Sequence, residues 1–352
     1  DGVYEGESGF DDDCFEDMEL RIQVKITIEG EKASVDFTGT ADQIRGFKNS
    51  SVANTYSSVY SALSTFFDPS IPRNEGTFRS VTVIAPEGTL VNARPPAPMT
   101  MCTVFPAQQI IIAIWQALGK ADPSMACAGW GMNAFPLSSA AGYDGRVSTM
   151  YHWGAGSGGG AVDGRDGFVQ VGPMCAFGAL ILPNAEMSEQ LYPVRVHRQE
   201  LRLDGAGAGK YRGGPGAYYV ADILFPSEVS FRAESVKKSW SYGTNGGMRG
   251  TTSTVTLTPT GGEAYDAPTY GVMDIEPSRL ELKSGGGGGW GDPLERDPDW
   301  VLRDVSDEVV SVEAAHTIYG VVLDASGSAV DSQKTDARRQ SLRESRGAAL
   351  VD

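Results

Sequence analysis

The chain predicts an α+β fold, antiparallel-strand-rich, with a few packed helices. Three observations carry that expectation. Apolar and polar residues alternate from Leu20 to Ile28 and again from Ala33 to Phe37, the period of a half-buried strand. Apolar residues recur at three and four from Val52 to Phe67 and almost fill Pro106 to Leu118, as packed helices require. Short runs of strand character follow near 194–203, 217–225, 229–233 and 252–258.

In chain order, Leu20, Ile22, Val24, Ile26 and Ile28 give the first strand one apolar face, and Glu29-Gly30-Glu31 turns it back to Ala33, Val35 and Phe37. The helix over 52–67 stops at Asp68-Pro69, because proline disfavours helix in the residue before it. The next helix starts at Pro106 and is expected to end at Gly119, since proline suits a first turn and glycine a C-terminal end. Its run from Ile110 to Trp115 leaves little polar face, so it should be buried. Ser311 is a plausible N-cap for a short helix. Gln333 to Arg346 holds five basic residues and few apolar ones, an exposed helix or partner-binding tail. The expected regions are 1–130 (hairpin and helices), 131–190 (Gly-rich loops), 191–295 (β-rich) and 296–352 (helical tail). Gly285 to Gly289 occurs once, so no solenoid repeat is implied.

Lys and Arg number 29 against 45 Asp and Glu, a net charge of −16. With no basic block, nucleic acid is not an expected partner. No run approaches the roughly 18 apolar residues of a membrane span, and no charged-then-apolar signal opens the chain; no membrane association and a cytoplasmic location are expected. Cys14, Cys102, Cys127 and Cys175 lie far apart, as free thiols do in a reducing compartment. Nine of the first nineteen residues are acidic, which reads as a solvated segment or as a docking strip for a basic partner. The chain begins with Asp1 rather than Met, so it is expected to be processed, cropped or part of a longer polypeptide.

Leu203 to Gly216 holds six glycines in fourteen residues. Glycine forfeits about 1 kcal/mol per helical position relative to alanine, so this stretch reads as a tight loop between strands. Gly154 to Gly159 satisfies GxGxxG literally, but Asp163-Gly164-Arg165-Asp166-Gly167 follows where a dinucleotide site needs a helix. Gly285 to Gly289 lacks the Lys-Ser/Thr ending of a phosphate-binding loop. His152, His197 and His316 are too widely spaced for a metal motif, and no metal site is expected within this chain.

The candidate chemistry lies in the loop from Tyr151 to Asp166. His152 is flanked by Tyr151 and Trp153; its imidazole either titrates near neutrality at a site or is held structurally. Asp163 and Asp166 could share one face of a turn and move a proton or bind a cation, or serve turn capping; Glu186 and Glu189 repeat the spacing. In the catalytic reading, His152 with Asp163 or Asp166 handles the proton, and Gly156 lets the backbone approach a substrate. Tyr151 borders that substrate, and Asn133 orients its carbonyl or simply holds a loop.

The wording of Leu203 to Gly216 resembles a segment of the hydantoinase B/oxoprolinase family. Five further stretches resemble that family in order: Val35 to Thr40, Asn74 to Arg79 with Ile84 to Thr89, Asn92 to Ala97, Gly285 to Pro293, and Tyr319 to Leu323. The resemblance implies a B-type subunit working with an A-type, actin-like ATPase subunit that holds ATP and Mg²⁺. The pair would phosphorylate a carbonyl oxygen of a lactam, hydantoin or enolised ketone, for ring opening by water or carboxylation by bicarbonate. It places a divalent transition metal in an N-terminal part of the subunit preceding Asp1-Gly2-Val3-Tyr4, so this chain would be the C-terminal portion, with that N-terminal part as a partner. Family hydrolases usually carry Glu-Thr after the histidine, where this chain has Trp153-Gly154, and Gly156 to Asp166 is closer to the acetone- and acetophenone-type carboxylases. Ketone carboxylation is therefore the first expectation. ATP-dependent hydantoin or lactam ring opening is the alternative, and a non-catalytic β-rich scaffold the third reading.

Overall fold

Alternation in the first third of the chain becomes an antiparallel meander of β1 (Gly2–Asp12), β2 (Asp17–Glu29) and β3 (Lys32–Asp36). The computed structural model describes residues 1–176 and 182–348, so residues 177–181 of the Gly-rich region and 349–352 of the tail lie outside the described residues. Leu20, Ile22, Val24 and Ile26 are buried along β2. The acidic opening forms a sheet strand in which Asp11 and Asp12 are buried with Gly6 and Ser8 to Phe10, while Asp1, Glu5, Glu16, Asp17 and Glu19 stay exposed to solvent. Gly6 permits this: a β-carbon there would overlap the Ala113 carbonyl oxygen of the helix packed on β1.

Ser51 caps α1 (Val52–Ser64) by accepting from the Asn54 N–H, and the helix ends three residues before the expected Phe67. The short α2 (Glu75–Phe78) leads into β4 (Val81–Ile84), which pairs parallel to β3. The buried helix is α3 (Phe105–Ala121). It runs through Gly119, the expected stop, and ends where Asp122 and Pro123 take over. Phe10, Ile22, Ile26, Val59, Leu63, Ile110 and Ile114 form the core between sheet and helices.

Two further sheets share a second core. In chain order their elements are β5 (Leu137–Ala141), β6 (Val147–Tyr151), α4 (Ala185–Leu191), β7 (Val194–Leu201), β8 (Ala217–Ile223), β9 (Ser227–Arg232), β10 (Thr254–Pro259), β11 (Tyr265–Asp266), β12 (Tyr270–Ile275) and β13 (Ser278–Lys283). One sheet runs β11-β10-β13-β8-β7, the other β12-β9-β5-β6, and every pairing in both is antiparallel. Tyr219, Ile223, Val229, Phe231, Leu257 and Leu280 pack between them. The tail adds α5 (Pro298–Ser306), α6 (Val312–Thr317) and α7 (Ser332–Ala348). Ser311 caps α6 as expected.

The glycine-rich segments are neither helices nor strands. They cross as extended chains and hydrogen-bond backbone to backbone: the Gly158 N–H donates to Gly285, Gly214 to Gly159, Gly287 to Gly214 and Gly207 to Gly287, at 2.8 to 3.0 Å. A side chain has no room there, since a β-carbon at Gly214 would overlap the Phe168 carbonyl oxygen and one at Gly287 that of Gly159. Leu203 to Gly216 is thus the expected connection between two strands, but it runs through the interior.

Candidate functional site

The loop from Tyr151 to Asp166 leaves β6, threads this glycine lattice and emerges at a surface turn. His152, just past the end of β6, is fully buried. Its Nε2 lies 2.8 Å from Ser138 Oγ, and its Nδ1 lies 3.4 Å from the Tyr219 hydroxyl. Burial without a charged partner pushes its pKa down to about 4, so the ring is neutral at physiological pH and held by two hydroxyls. The enclosed space beside it, lined by Met150, Tyr151, Trp153 and Tyr219 among others, is about 20 Å³. That admits one water and falls far below the roughly 300 Å³ of a small-molecule site. Tyr151 is half exposed and stacks on Trp153 with ring centroids 5.5 Å apart.

Asn133 and Gly156 are brought together around Ser157. Asn133 is buried, and its Oδ1 accepts from the Ser157 N–H at 3.2 Å, while its Nδ2 has no polar partner among the described residues. The Gly156 carbonyl accepts from Ser284 Oγ at 2.7 Å. The Asn133 amide therefore holds the loop in place.

The two aspartates part company. Asp163 is exposed at the tip of a turn closed by Val162 and Arg165, with Gly164 at φ +80°, the value a type II turn asks of its third residue. Its carboxylate makes no hydrogen bond or ion pair among the described residues. Asp166 instead takes a bidentate fork from Arg296 at 2.7 and 2.8 Å and a bond from the Arg212 N–H at 2.9 Å. Arg296 is buried and spends all five N–H groups, on Asp166, Asp304 and the Lys210 carbonyl. Although burial opposes it, the attraction of these two carboxylates holds the guanidinium pKa above its ordinary value. Both oxygens of Asp166 are thus already engaged.

A second buried cluster escaped sequence reasoning. Lys48, Asp12 and Glu234 are each almost fully buried. The Lys48 ammonium lies 2.5 Å from Asp12 Oδ1 and touches Glu234 Oε1. That contact lacks hydrogen-bond geometry, and neither oxygen of Glu234 has a hydrogen-bond partner among the described residues. Burial, offset only in part by Lys48, pushes the Glu234 carboxyl up to about 8. Ser235, next in the chain, sits at φ +54°, a region that non-glycine residues seldom occupy. The only local cue is Lys48 between the apolar Phe47 and the polar run Asn49-Ser50-Ser51. Among the described residues no group of three or more His, Cys, Asp or Glu side chains is arranged to hold a metal ion, all four cysteines are free thiols, and no helix is long and apolar enough to cross a membrane.

A model of the hydantoinase B/oxoprolinase family matches residues 1–293. The chain belongs to that family. This hydantoinase B/oxoprolinase chain is 35% identical over 355 residues to the caprolactamase subunit beta of Pseudomonas jessenii, covering 96% of the chain and 60% of the relative. The crystal structure of the ATP-dependent caprolactamase from that organism superposes with a TM-score of 0.85 at 30% identity, over 97% of this chain and 60% of that one. Nucleotide-free acetone carboxylase has the same fold at a TM-score of 0.82 and 20% identity, over 99% and 53%. The hydantoinase B/oxoprolinase chain thus spans little more than half the length of these relatives.

Proposed function

We propose that this chain is part of the B-type subunit of a heteromeric, ATP-dependent enzyme that opens a cyclic amide, working with an ATP-binding subunit. The observation that supports it best is the likeness to a caprolactamase beta subunit along 96% of the chain. The likeness to acetone carboxylase, at 20% identity, supports the fold alone, so ring opening takes precedence over ketone carboxylation. The chemical need is direct: an amide carbonyl is a weak electrophile until its oxygen carries a better leaving group, and ATP can supply a phosphoryl group for that purpose. ATP and Mg²⁺ would belong to the partner, and a transition metal to sequence outside this chain.

Within the chain, His152 and Asp166 would be positioning residues that fix the two ends of the loop. Asp163 is the loop carboxylate left available to meet a substrate or partner. Neutral His152, clamped by Ser138 and Tyr219, favours orientation over proton removal.

The test is the full-length protein with its ATP-binding partner, assayed on lactam and hydantoin rings and on ketones, with and without ATP and bicarbonate. ATP-dependent formation of the ring-opened product without a need for bicarbonate is expected. Bicarbonate-dependent loss of ketone would replace this reading with the carboxylase. Full turnover by the partner in the absence of this chain would replace it with the scaffold.

A further inference from the structure

The glycine lattice has an exposed corner. Thr244 to Gly247 forms a β-turn in which the Gly247 N–H donates to the Thr244 carbonyl at 2.9 Å. Asn245 sits at φ +52° and Gly246 at φ +94°, the two positive values of a type I′ turn, for which Asn-Gly is a preferred pair. Both residues are exposed, yet the turn stands directly on the lattice. Thr244 donates to the Gly289 carbonyl and accepts from the Gly291 N–H, each at 3.0 Å. A β-carbon at Gly247 would overlap the Gly289 carbonyl oxygen. The Asn245 Nδ2 donates to the Pro123 carbonyl at 3.0 Å, which ties the corner to the segment after α3.

An asparagine side chain is an acyl group one five-membered ring away from the next peptide nitrogen. Ring closure is hindered by the side chain of the following residue, and glycine has none. Of the seven asparagines in the chain, Asn245 alone precedes a glycine. The Gly246 N–H, which must lose its proton before it can attack, donates to no group among the described residues. Other asparagines are held more firmly. Asn49 gives its Nδ2 to the carbonyls of Ile44, Gly46 and Pro98, and Asn133 is buried. At Asn245 the ring closes only by rotation about the Cα–C bond, which opens the turn. Two hydrogen bonds resist that rotation, Gly247 to Thr244 and Asn245 to Pro123.

We propose that Asn245 is a self-modification site, whose amide becomes a carboxylate through a cyclic imide formed with Gly246. The Gly246 nitrogen gives its proton to hydroxide and bonds to the Asn245 side-chain carbonyl carbon. The bond from that carbon to Nδ2 then breaks, and ammonia leaves with a proton from water. Water next opens the imide at either carbonyl. Attack at the side-chain carbon yields aspartate; attack at the main-chain carbon yields isoaspartate, whose backbone runs through Cβ. Neither product has a hydrogen to give the Pro123 carbonyl. Isoaspartate also lengthens the turn by one backbone atom, and Gly247, pressed against the Gly289 carbonyl, has no slack to absorb it. Modification at this surface corner therefore loosens the interior glycine lattice.

The test ages the full-length protein with its partner subunit at mildly alkaline pH and maps its peptides by mass spectrometry. Asn245 should convert first among the seven asparagines, with isoaspartate that an isoaspartyl methyltransferase labels. Denaturant should speed the conversion, because it removes both bonds that close the turn. Asn245→Gly suits a type I′ turn; it should abolish the label at this peptide and leave the circular dichroism spectrum unchanged. Aged wild-type protein should melt at a lower temperature than fresh protein, whereas aged Asn245→Gly should melt as it did when fresh. Asn245→Asp, which changes the charge but not the backbone length, should fall between the two. Earlier conversion of another asparagine in the native protein overturns the proposal. So does an amide at position 245 that stays intact in the native protein while the denatured chain converts, or an unchanged melting temperature after full conversion.

Discussion

Two buried charge networks are built from similar residues and differ in how fully they are satisfied. Under the C-terminal helices, Arg296 and Arg212 meet Asp166 and Asp304, two cations to two anions, and every N–H of Arg296 has an acceptor. At the end of β1, one Lys48 faces Asp12 and Glu234, with Asp11 close by on the Lys237 and Lys238 N–H groups. A guanidinium is a planar fork that matches carboxylates two at a time, whereas an ammonium is a compact point charge. The first network therefore closes with all its charges in place. The second holds more acid than base, and it resolves the excess by keeping a proton on Glu234.

The largest expected effect breaks the closed network. Arg296→Met leaves Asp166 and Asp304 buried without their fork and should cost about 3–5 kcal/mol in chemical denaturation. Lys48→Met should cost less, about 1–3 kcal/mol, because Glu234 already holds a proton and only Asp12 loses its counter-ion. Equal losses from the two variants would show that Glu234 is ionised after all and erase the contrast.

The next effect is a slope with pH. The folded chain keeps the Glu234 proton to about pH 8, against an ordinary 4.5. That group's stabilisation is thus full below pH 4.5 and fades as pH rises to 8, by up to about 1.4 kcal/mol per unit. His152 has the opposite sign. Its pKa falls from 6.5 to about 4 on burial, so its stabilisation is full above pH 6.5 and is lost as pH drops to 4. Between 4.5 and 6.5 the two oppose each other, and above 6.5 only Glu234 acts. Glu234→Gln should therefore flatten the fall in stability from pH 6.5 to 8. His152→Gln should turn the flat interval into one continuous fall from 4.5 to 8. An unaltered profile in Glu234→Gln would place the charge excess elsewhere.

These networks also show where the sequence stops being legible. β2, β3, α1, α3 and the strands from β7 to β10 could be read because apolar residues recur there at strand or helix spacing, or fill the segment as in α3. β1 could not, since its buried positions include Gly6, Ser8, Gly9, Asp11 and Asp12, chosen by the helix and ions that press on them. β5 and β6 were hidden for a related reason: Ser138 is buried to meet His152 rather than to fill a core. The family wording of the glycine segments was plain, but their purpose was not, because only the folded chain shows which carbonyl each glycine makes room for. Lys48 and Glu234, and likewise Asp166 and Arg296, lie far apart in the chain, and no local spacing links them.

The smallest expected effect separates the two aspartates that the sequence could only treat as a pair. Asp163 is exposed on a turn tip without a side-chain partner among the described residues, so Asp163→Asn should change stability by less than about 0.5 kcal/mol. Asp166→Asn keeps the shape but removes the charge that Arg296 grips, and it should cost about 1.5–3 kcal/mol, the range for hydrogen bonds to charged groups. Turnover by the full-length complex then separates the roles. If Asp163 meets the substrate, its neutral variant loses about 10²-fold or more in kcat while its melting temperature stays put. Asp166→Asn, as a positioning change, should lower the melting temperature first and leave kcat per folded molecule within about tenfold. Unchanged kcat in Asp163→Asn would show that this loop offers the reaction no acid of its own, leaving its anchored ends, His152 and Asp166, to serve the architecture alone.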